Sequence, residues 1–231
     1  MIIASTSTVF GSGYLEYLLP TLKVHFNDVK TLIFIPYAMP GGISYDGYTS
    51  IAKKAFSKIG IVVKGVHEFK NPKEAVLSAS AIFTGGGNTF ELVHQLYEND
   101  ILTVLKQVLE KGTPYLGTSA GSNICGIDMK NTNDMPIVYP ASFKTLGCIP
   151  FNINAHYLDP IVGSTHMGET RETRIKEFHI FNETPVLGIR EGGWLSVEGE
   201  KITLYGKQSA RLFQQNKEPV ELESGVVIAM K

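Results

Sequence analysis

The sequence predicts an α/β protein in three layers, with a mostly parallel central sheet covered by helices on both faces. Three observations lead there. Short, continuously apolar β-rich runs recur along the first half of the chain. Stretches with helical spacing separate them, and strands buried on both faces alternating with amphipathic helices are the mark of a parallel sheet. Finally, 231 residues with 43% apolar content suit one large domain, so residues 1–231 are expected to form a single α/β unit.

The strands come in order. "MIIAS" at 1–5, "TLIFIPYA" at 31–38, "GIVVKGV" at 60–66, "AIFTGG" at 81–86 and "PYLGTS" at 114–119 are each too short for a typical helix and rich in β-branched and aromatic residues. Helices are expected between them. "YLEYLLPTLKVHF" (14–26) has apolar residues near a 3.6 spacing, and Pro20 must kink it or sit in its first turn. "YTSIAKKAFSKIG" (48–60) places Ile51, Ala52, Ala55, Phe56 and Ile59 on one stripe, and Gly60 stops it. "NTFELVHQLYEND" (88–100) and "ILTVLKQVLEKG" (101–112) follow the same logic. Beyond 126 the texture changes. "IDMKNTNDMPIVYP" reads as loop and "ETRETRIKEFHIFN" (169–182) as a charged helix. The segment from Pro185 to Phe213 reads as short strands with glycine turns, "VEGEKI" being a hairpin signal. This last third is expected to extend the same sheet.

Several function classes are disfavoured. A net charge of −1 leaves no basic footprint for nucleic acid. The opening "MIIASTSTVFGSG" lacks a basic n-region and a long apolar core, so no signal peptide is expected. No run of about 18 apolar residues exists to span a membrane. Cys125 and Cys148 form neither a metal pattern nor a disulfide framework and read as core filler. The expectation is a soluble, cytoplasmic protein, monomer or homodimer, needing no metal or other cofactor.

Chemistry concentrates at "YLGTSAGSNICG" (115–126). Gly117-Thr118-Ser119-Ala120-Gly121 matches G-x-S-x-G between a strand and a helix, the setting of a nucleophile elbow after a central strand. Glycines two before and two after the serine relieve crowding in so tight a bend. The alternative is Ser119 as a plain helix cap. "FTGGGNTFEL" (83–92) adds a second glycine loop at a strand end, where ligands of open α/β sheets bind. It lacks the Lys-Ser/Thr of a phosphate loop.

A serine nucleophile needs an imidazole, and the imidazole an acid to hold it. His25 ends a surface helix and His67 follows a strand, while His94 and His179 lie inside helices. That leaves His156 in "NINAHYLDP" and His166 in "GSTHMGETRE", with His156 favoured. Glu191 in "VLGIREGGWL" is the best-placed acid, with Asp134 and Asp159 as rivals. A Ser119–acid–His179 arrangement in α/β-hydrolase order would put the base inside an amphipathic helix.

"GGGNTF", "GTSAGSN", "TNDMPI", "NAHYLD", "GETRETRI" and "GIREGG", in that order, resemble peptidase E, the α-aspartyl dipeptidase family. The likeness runs from about residue 30 to 205. It implies a class I glutamine amidotransferase-like, flavodoxin-like frame and metal-free serine hydrolysis of peptides that begin with aspartate. Carried onto this chain, it implies Ser119 as nucleophile, His156 as base, Glu191 as acid, and the Gly87 and Ala120 N–H groups as oxyanion donors. Asp134 falls where the family has a further acidic residue. Thr118 departs from relatives that carry a bulkier aromatic before the serine, which bears on the pocket walls.

An aspartyl carboxylate calls for a cation. "GETRETRIKEF" offers Arg171, Arg174 and Lys176, with Arg171 and Arg174 spaced to share one helix face. The resemblance makes Arg171 the first choice. Asn88, Asp134 and Glu169 are candidates for the free amino group. The rival readings are a cyanophycinase-like hydrolase on the same frame, an amidotransferase-like module, which Ser119 in place of cysteine disfavours, and a non-catalytic binding module.

Overall fold

A computed structural model describes residues 1–160, 163, 165 and 167–228. His166 lies outside the described residues. The five expected strands form β1 (Ile2–Ala4), β2 (Thr31–Ile35), β3 (Val62–Gly65), β4 (Ile82–Thr84) and β5 (Tyr115–Thr118). All five pair in parallel, in the order β3-β2-β4-β5-β1.

Alternation along these strands builds two cores. Leu32 and Phe34 of β2, with Ile2 and Ala4 of β1, face Leu22 and Phe26 around α1 (Leu19–His25) and Ala52, Ala55 and Phe56 of α2 (Tyr45–Ser57). Ile33 and Ile35, with Ile3, face the other way. They meet Val76 of α3 (Pro72–Leu77), Leu92 and Leu96 of α4 (Thr89–Glu98), and Leu105 and Val108 of α5 (Ile101–Glu110). Burying two apolar faces of one sheet requires a helical layer on each side, and that is the observed arrangement.

The helix expected at 14–26 is divided. A 3₁₀ turn at Glu16–Leu18 leads into α1, and Pro20 sits in the first turn of α1, where its missing N–H costs nothing. The helices expected at 88–100 and 101–112 are α4 and α5. Asn88 caps α4 by accepting the Glu91 N–H, and Ser44 caps α2 by accepting the Gly47 N–H.

The last third departs from a single extended sheet. β8 (Trp194–Glu198) and β9 (Lys201–Tyr205) form the expected hairpin, and β8 pairs antiparallel with the open edge of β1. The other strands make a second sheet of four, in the order β11 (Val220–Leu222), β10 (Ala210–Phe213), β7 (Val186–Ile189), β6 (Asn152–Ala155). The reason lies after β7. The chain turns at Glu191-Gly192-Gly193, with Gly192 at φ +80, and passes from one sheet to the other. α7 (Arg171–Phe181) covers the second sheet, packing Ile175 and Phe178 against Tyr157, Val186 and Phe213. Cys125 is buried in the larger core, and burial pushes the half-buried Cys148 thiol up to about 11, so both remain thiols at neutral pH. No helix among the described residues is long and apolar enough to cross a membrane.

Candidate active site

Ser119 stands between β5 and the short helix α6 (Ala120–Asn123), at φ 52 and ψ −112. A side-chain-bearing residue rarely adopts this backbone, and it persists only where the surroundings over-determine it. Here they do. The Ser119 N–H donates to the Ala4 carbonyl at 3.1 Å, and the Ser119 carbonyl accepts from the Ser122 and Asn123 N–H groups, both at 2.9 Å. The crossing at Gly121 leaves no room for a side chain, since a Cβ there would overlap the Thr84 carbonyl. The same holds at Gly117, against the Gly121 carbonyl.

Two backbone donors belong to the segments that meet at the serine, since a Cβ on Gly86 would strike the Ser119 side chain. Ala120 opens α6, where an N–H has no partner within the helix. Gly87, at φ +138, is pressed against the Ala38 carbonyl, which receives the Asn88 N–H at 2.7 Å. Among the described residues neither the Gly87 nor the Ala120 N–H donates to a protein acceptor.

His156 follows β6 and also takes a left-handed backbone, φ 54. Its N–H donates to Ser5 Oγ at 2.9 Å, and Ser5 Oγ donates to the Ile189 carbonyl at 2.7 Å. The ring lies with Nδ1 2.9 Å from Glu191 Oε1 and Nε2 3.1 Å from Ser119 Oγ. A carboxylate can only accept, so Nδ1 carries the proton and donates to Glu191. In the neutral ring Nε2 then accepts from the Ser119 hydroxyl. The structure thus joins Ser119, His156 and Glu191 in one hydrogen-bonded line.

The other candidates separate. Asp159, a rival acid, is clasped by Arg190 at 2.7 Å, away from the imidazole. His179 donates from Nδ1 to the Asn182 carbonyl, which removes the arrangement that used it as base. His67 pairs with Asp46 and His25 with the Tyr115 carbonyl.

A cavity of about 200 Å³ opens beside this line. Ser119, His156, Asp134 and Arg171 line it, with Asn123, Thr132, Asn133 and Ala155. Asp134 Oδ2 accepts from the Thr89 N–H at 2.7 Å and from the Thr132 hydroxyl at 3.0 Å, which fixes its carboxylate at the start of α4. Burial and the neighbouring Arg174 lower the Arg171 pKa and Asp134 raises it, but a guanidinium stays charged throughout. The cavity therefore carries one fixed cation and one fixed anion. Asn88, Glu169 and Arg174 are outside its lining. Both ends of the Asn88 amide are spent on the cap and on the Met135 carbonyl, and Glu169 pairs with Arg174 at 3.5 Å.

Sequence reasoning missed the amide scaffold. Asn133 and Asn154 exchange hydrogen bonds at 3.0 Å each way, and Asn123 bridges the Ala155 N–H and the Thr89 hydroxyl. The signal was present as Asn at 131, 133, 152 and 154, an every-second-residue spacing on two segments. Among the described residues no three His, Cys, Asp or Glu side chains converge to hold a metal ion.

A family model described as peptidase family S51 matches residues 1–205. The chain belongs to this family. A relative from Streptomyces coelicolor, named peptidase E, is 46% identical over 97% of this chain and 91% of its own length. A protein of Drosophila melanogaster, named probable alpha-aspartyl dipeptidase, is 44% identical over 96% of this chain and 92% of its own. The crystal structure of a peptidase from an acI-B1 Actinobacterium superposes with a TM-score of 0.72, covering 99% of this chain and 96% of that one. At 15% identity that likeness speaks for the fold alone.

Proposed function

We propose that this S51 peptidase hydrolyses Asp-Xaa dipeptides, with residues 1–231 acting as one hydrolytic unit on a frame related to class I glutamine amidotransferases. The single observation that carries the reading is the line Ser119–His156–Glu191, with contacts of 3.1 and 2.9 Å, at the carboxyl edge of a parallel sheet. The names of the S51 relatives point to the same substrate. The strained backbone at Ser119 fits a nucleophile elbow.

Ser119 Oγ attacks the scissile carbonyl while His156 Nε2 takes its proton. Glu191 holds the Nδ1–H and stabilises the imidazolium that results. The negative charge on the tetrahedral oxygen falls to the Gly87 and Ala120 N–H groups, and loss of one such donor costs about 2.7–4 kcal/mol in comparable sites. His156 then protonates the departing amine, an aspartyl ester remains on Ser119, and water resolves it by the same route in reverse.

The cavity's charges suit an N-terminal aspartate. Arg171 pairs with the β-carboxylate through its planar fork, and Asp134 receives the free α-ammonium. A space of about 200 Å³ is of the size of one such residue. The deciding experiment is Ser119→Ala assayed on Asp-Leu. Turnover disappears while circular dichroism and melting temperature stay near those of the unmodified chain. Near-normal turnover in this variant would overturn the reading.

A further inference from the structure

The imidazole and carboxylate beside Ser119 sit on neighbouring strand exits. β6 and β7 run parallel with Ala155 opposite Ile189. His156 therefore leaves one strand, and Arg190 followed by Glu191 leaves the other. Neither side chain is packed into place, since His156 is 40% exposed and Glu191 50%. A contact this open to water is worth roughly 0–1 kcal/mol even as a full ion pair, too little to freeze a glutamate rotamer by itself. The 2.9 Å contact depends on where the two loops are put.

Arg190 ties those loops together. Its Nε and Nη2 donate to the two oxygens of Asp159, both at 2.7 Å, as a fork. Nη1 donates to the Ser209 carbonyl at 2.8 Å and to Glu221 Oε2 at 2.9 Å, and Nη2 also reaches Glu221 Oε1 at 3.1 Å. The Arg190 side chain is only 12% exposed, and its guanidinium lies over the Tyr157 ring, 5.5 Å from the centroid. The Arg190 contacts hold the Glu221 carboxyl down at about 2, so the pairing persists across the neutral range.

The placement gives this cluster its meaning. Asp159 lies three residues past His156, and Arg190 immediately precedes Glu191. The strands themselves are already joined by their own register, which ends at Ala155 and Ile189. The fork acts beyond that register, on the segments that carry the imidazole and the carboxylate. Glu221 and Ser209 anchor it to the far side of the second sheet.

We propose that Arg190 and Asp159 form a clamp that sets the His156–Glu191 contact, making them positioning residues for the hydrolysis. The proposal rests on the reading of Ser119, His156 and Glu191 as the reacting line. The test uses Asp159→Asn and Arg190→Lys in the full chain. Three quantities are read: kcat and KM on Asp-Leu, melting temperature, and the far-downfield proton resonance of His156 Nδ1–H.

Both variants are expected to lower kcat about 10- to 100-fold, as a displaced reacting group does, with KM within about twofold. The downfield proton broadens or vanishes in both. The double variant is no worse than the poorer single one, because the two residues act as one unit. Asp159 is half exposed, so its asparagine variant folds even if Arg190→Lys does not. A folded Asp159→Asn with unchanged kcat, or with the downfield proton intact, overturns the clamp, as does a lowered melting temperature alone. If Ser119→Ala is inactive and Asp159→Asn is normal, only the clamp fails. If Ser119→Ala is active, the reacting line itself fails.

Discussion

Arg171→Met is the sharpest test of substrate selection. Arg171 opens α7 and is the cation in the cavity lining, with Asp134 as the anion. Methionine keeps most of the side chain's reach and removes the charge and the fork. Hydrogen bonds to a charged group contribute about 1.5–3 kcal/mol, which corresponds to about 10- to 150-fold in kcat/KM. Burial already disfavours the free guanidinium's charge here, so the pairing with a carboxylate is less screened than on an open surface. The assay compares kcat/KM for Asp-Leu, Asn-Leu and Ala-Leu. Asp-Leu is expected to fall by that factor, chiefly through KM, while the two neutral substrates change by less than about threefold. The preference for aspartate erodes accordingly. Arg171→Lys restores part of it, because charge returns without the fork. An unchanged ratio between Asp-Leu and Asn-Leu removes Arg171 from aspartate recognition. An equal loss on all three substrates does so too, since it would mean that Arg171 acts by holding Asp134.

Two further predictions concern the frame. Gly121→Ala drives a methyl group into the Thr84 carbonyl and should cost about 1–3 kcal/mol. Thermal melting reads this as a drop of roughly 2–4 °C per kcal/mol, and an unchanged melting temperature would mean that the crossing has slack. Burial holds the His25 imidazole down at about 4 against an ordinary 6.5. The unfolded chain therefore binds more protons between those values, and stability is lost as pH falls from about 6.5 to 4, by at most about 3 kcal/mol. His25→Gln keeps a donor for the Tyr115 carbonyl without a titrating ring. Urea unfolding at pH 7 and pH 5 should show a smaller acid loss in this variant, and an equal loss in both proteins refutes the assignment.

The parallel half of the fold was legible because its signals are local. Leu32 through Ile35 are apolar without interruption, which suits a strand buried on both faces, and Ala52, Ala55 and Phe56 of the expected stripe are buried on α2, whereas Ile51 is exposed and Ile59 lies past the helix end at Ser57. The second sheet was not legible. β7 is apolar throughout and β8 alternates, but neither pattern names a partner: which sheet each joins depends on the free edge of β1 and on the turn at Gly192, neither of which is a property of the strand itself. The site divides the same way. Ser119 is marked by its flanking glycines and His156 and Glu191 by their places after strands, whereas Asp134 is one candidate among several and Arg171 is singled out from Arg174 by the family resemblance. Ser5 carries no such mark, and the alternating asparagines that include Asn133 and Asn154 are a spacing that names no partner. Their roles are contacts made across 21 to 184 positions of chain, and a small polar residue at a strand end has many commoner uses.

The division of the fold into two sheets bears directly on the proposed chemistry. Ser119 belongs to the larger sheet and His156 and Glu191 to the smaller, so the reacting line spans a seam. Ser5 stitches it. Its N–H donates to the Gly193 carbonyl, its hydroxyl donates to the Ile189 carbonyl, and Ser5 Oγ in turn accepts the His156 N–H. Both partners of the Ser119–His156 contact have a positive φ, 52 at Ser119 and 54 at His156. Such conformations cost of order 1–3 kcal/mol each and relax when their supports loosen. The site thus stores strain on both sides of a boundary held by specific polar contacts, Ser5 to Ile189 and Gly193 and Asn123 to Ala155. Losing one of these polar contacts relaxes the site without exposing the shared apolar core, where Ile153 and Ile189 pack in one cluster with Ile3 and Ile33. Damage to the seam should therefore reach turnover well before it reaches the melting temperature, whereas damage to the sheet cores should move both together.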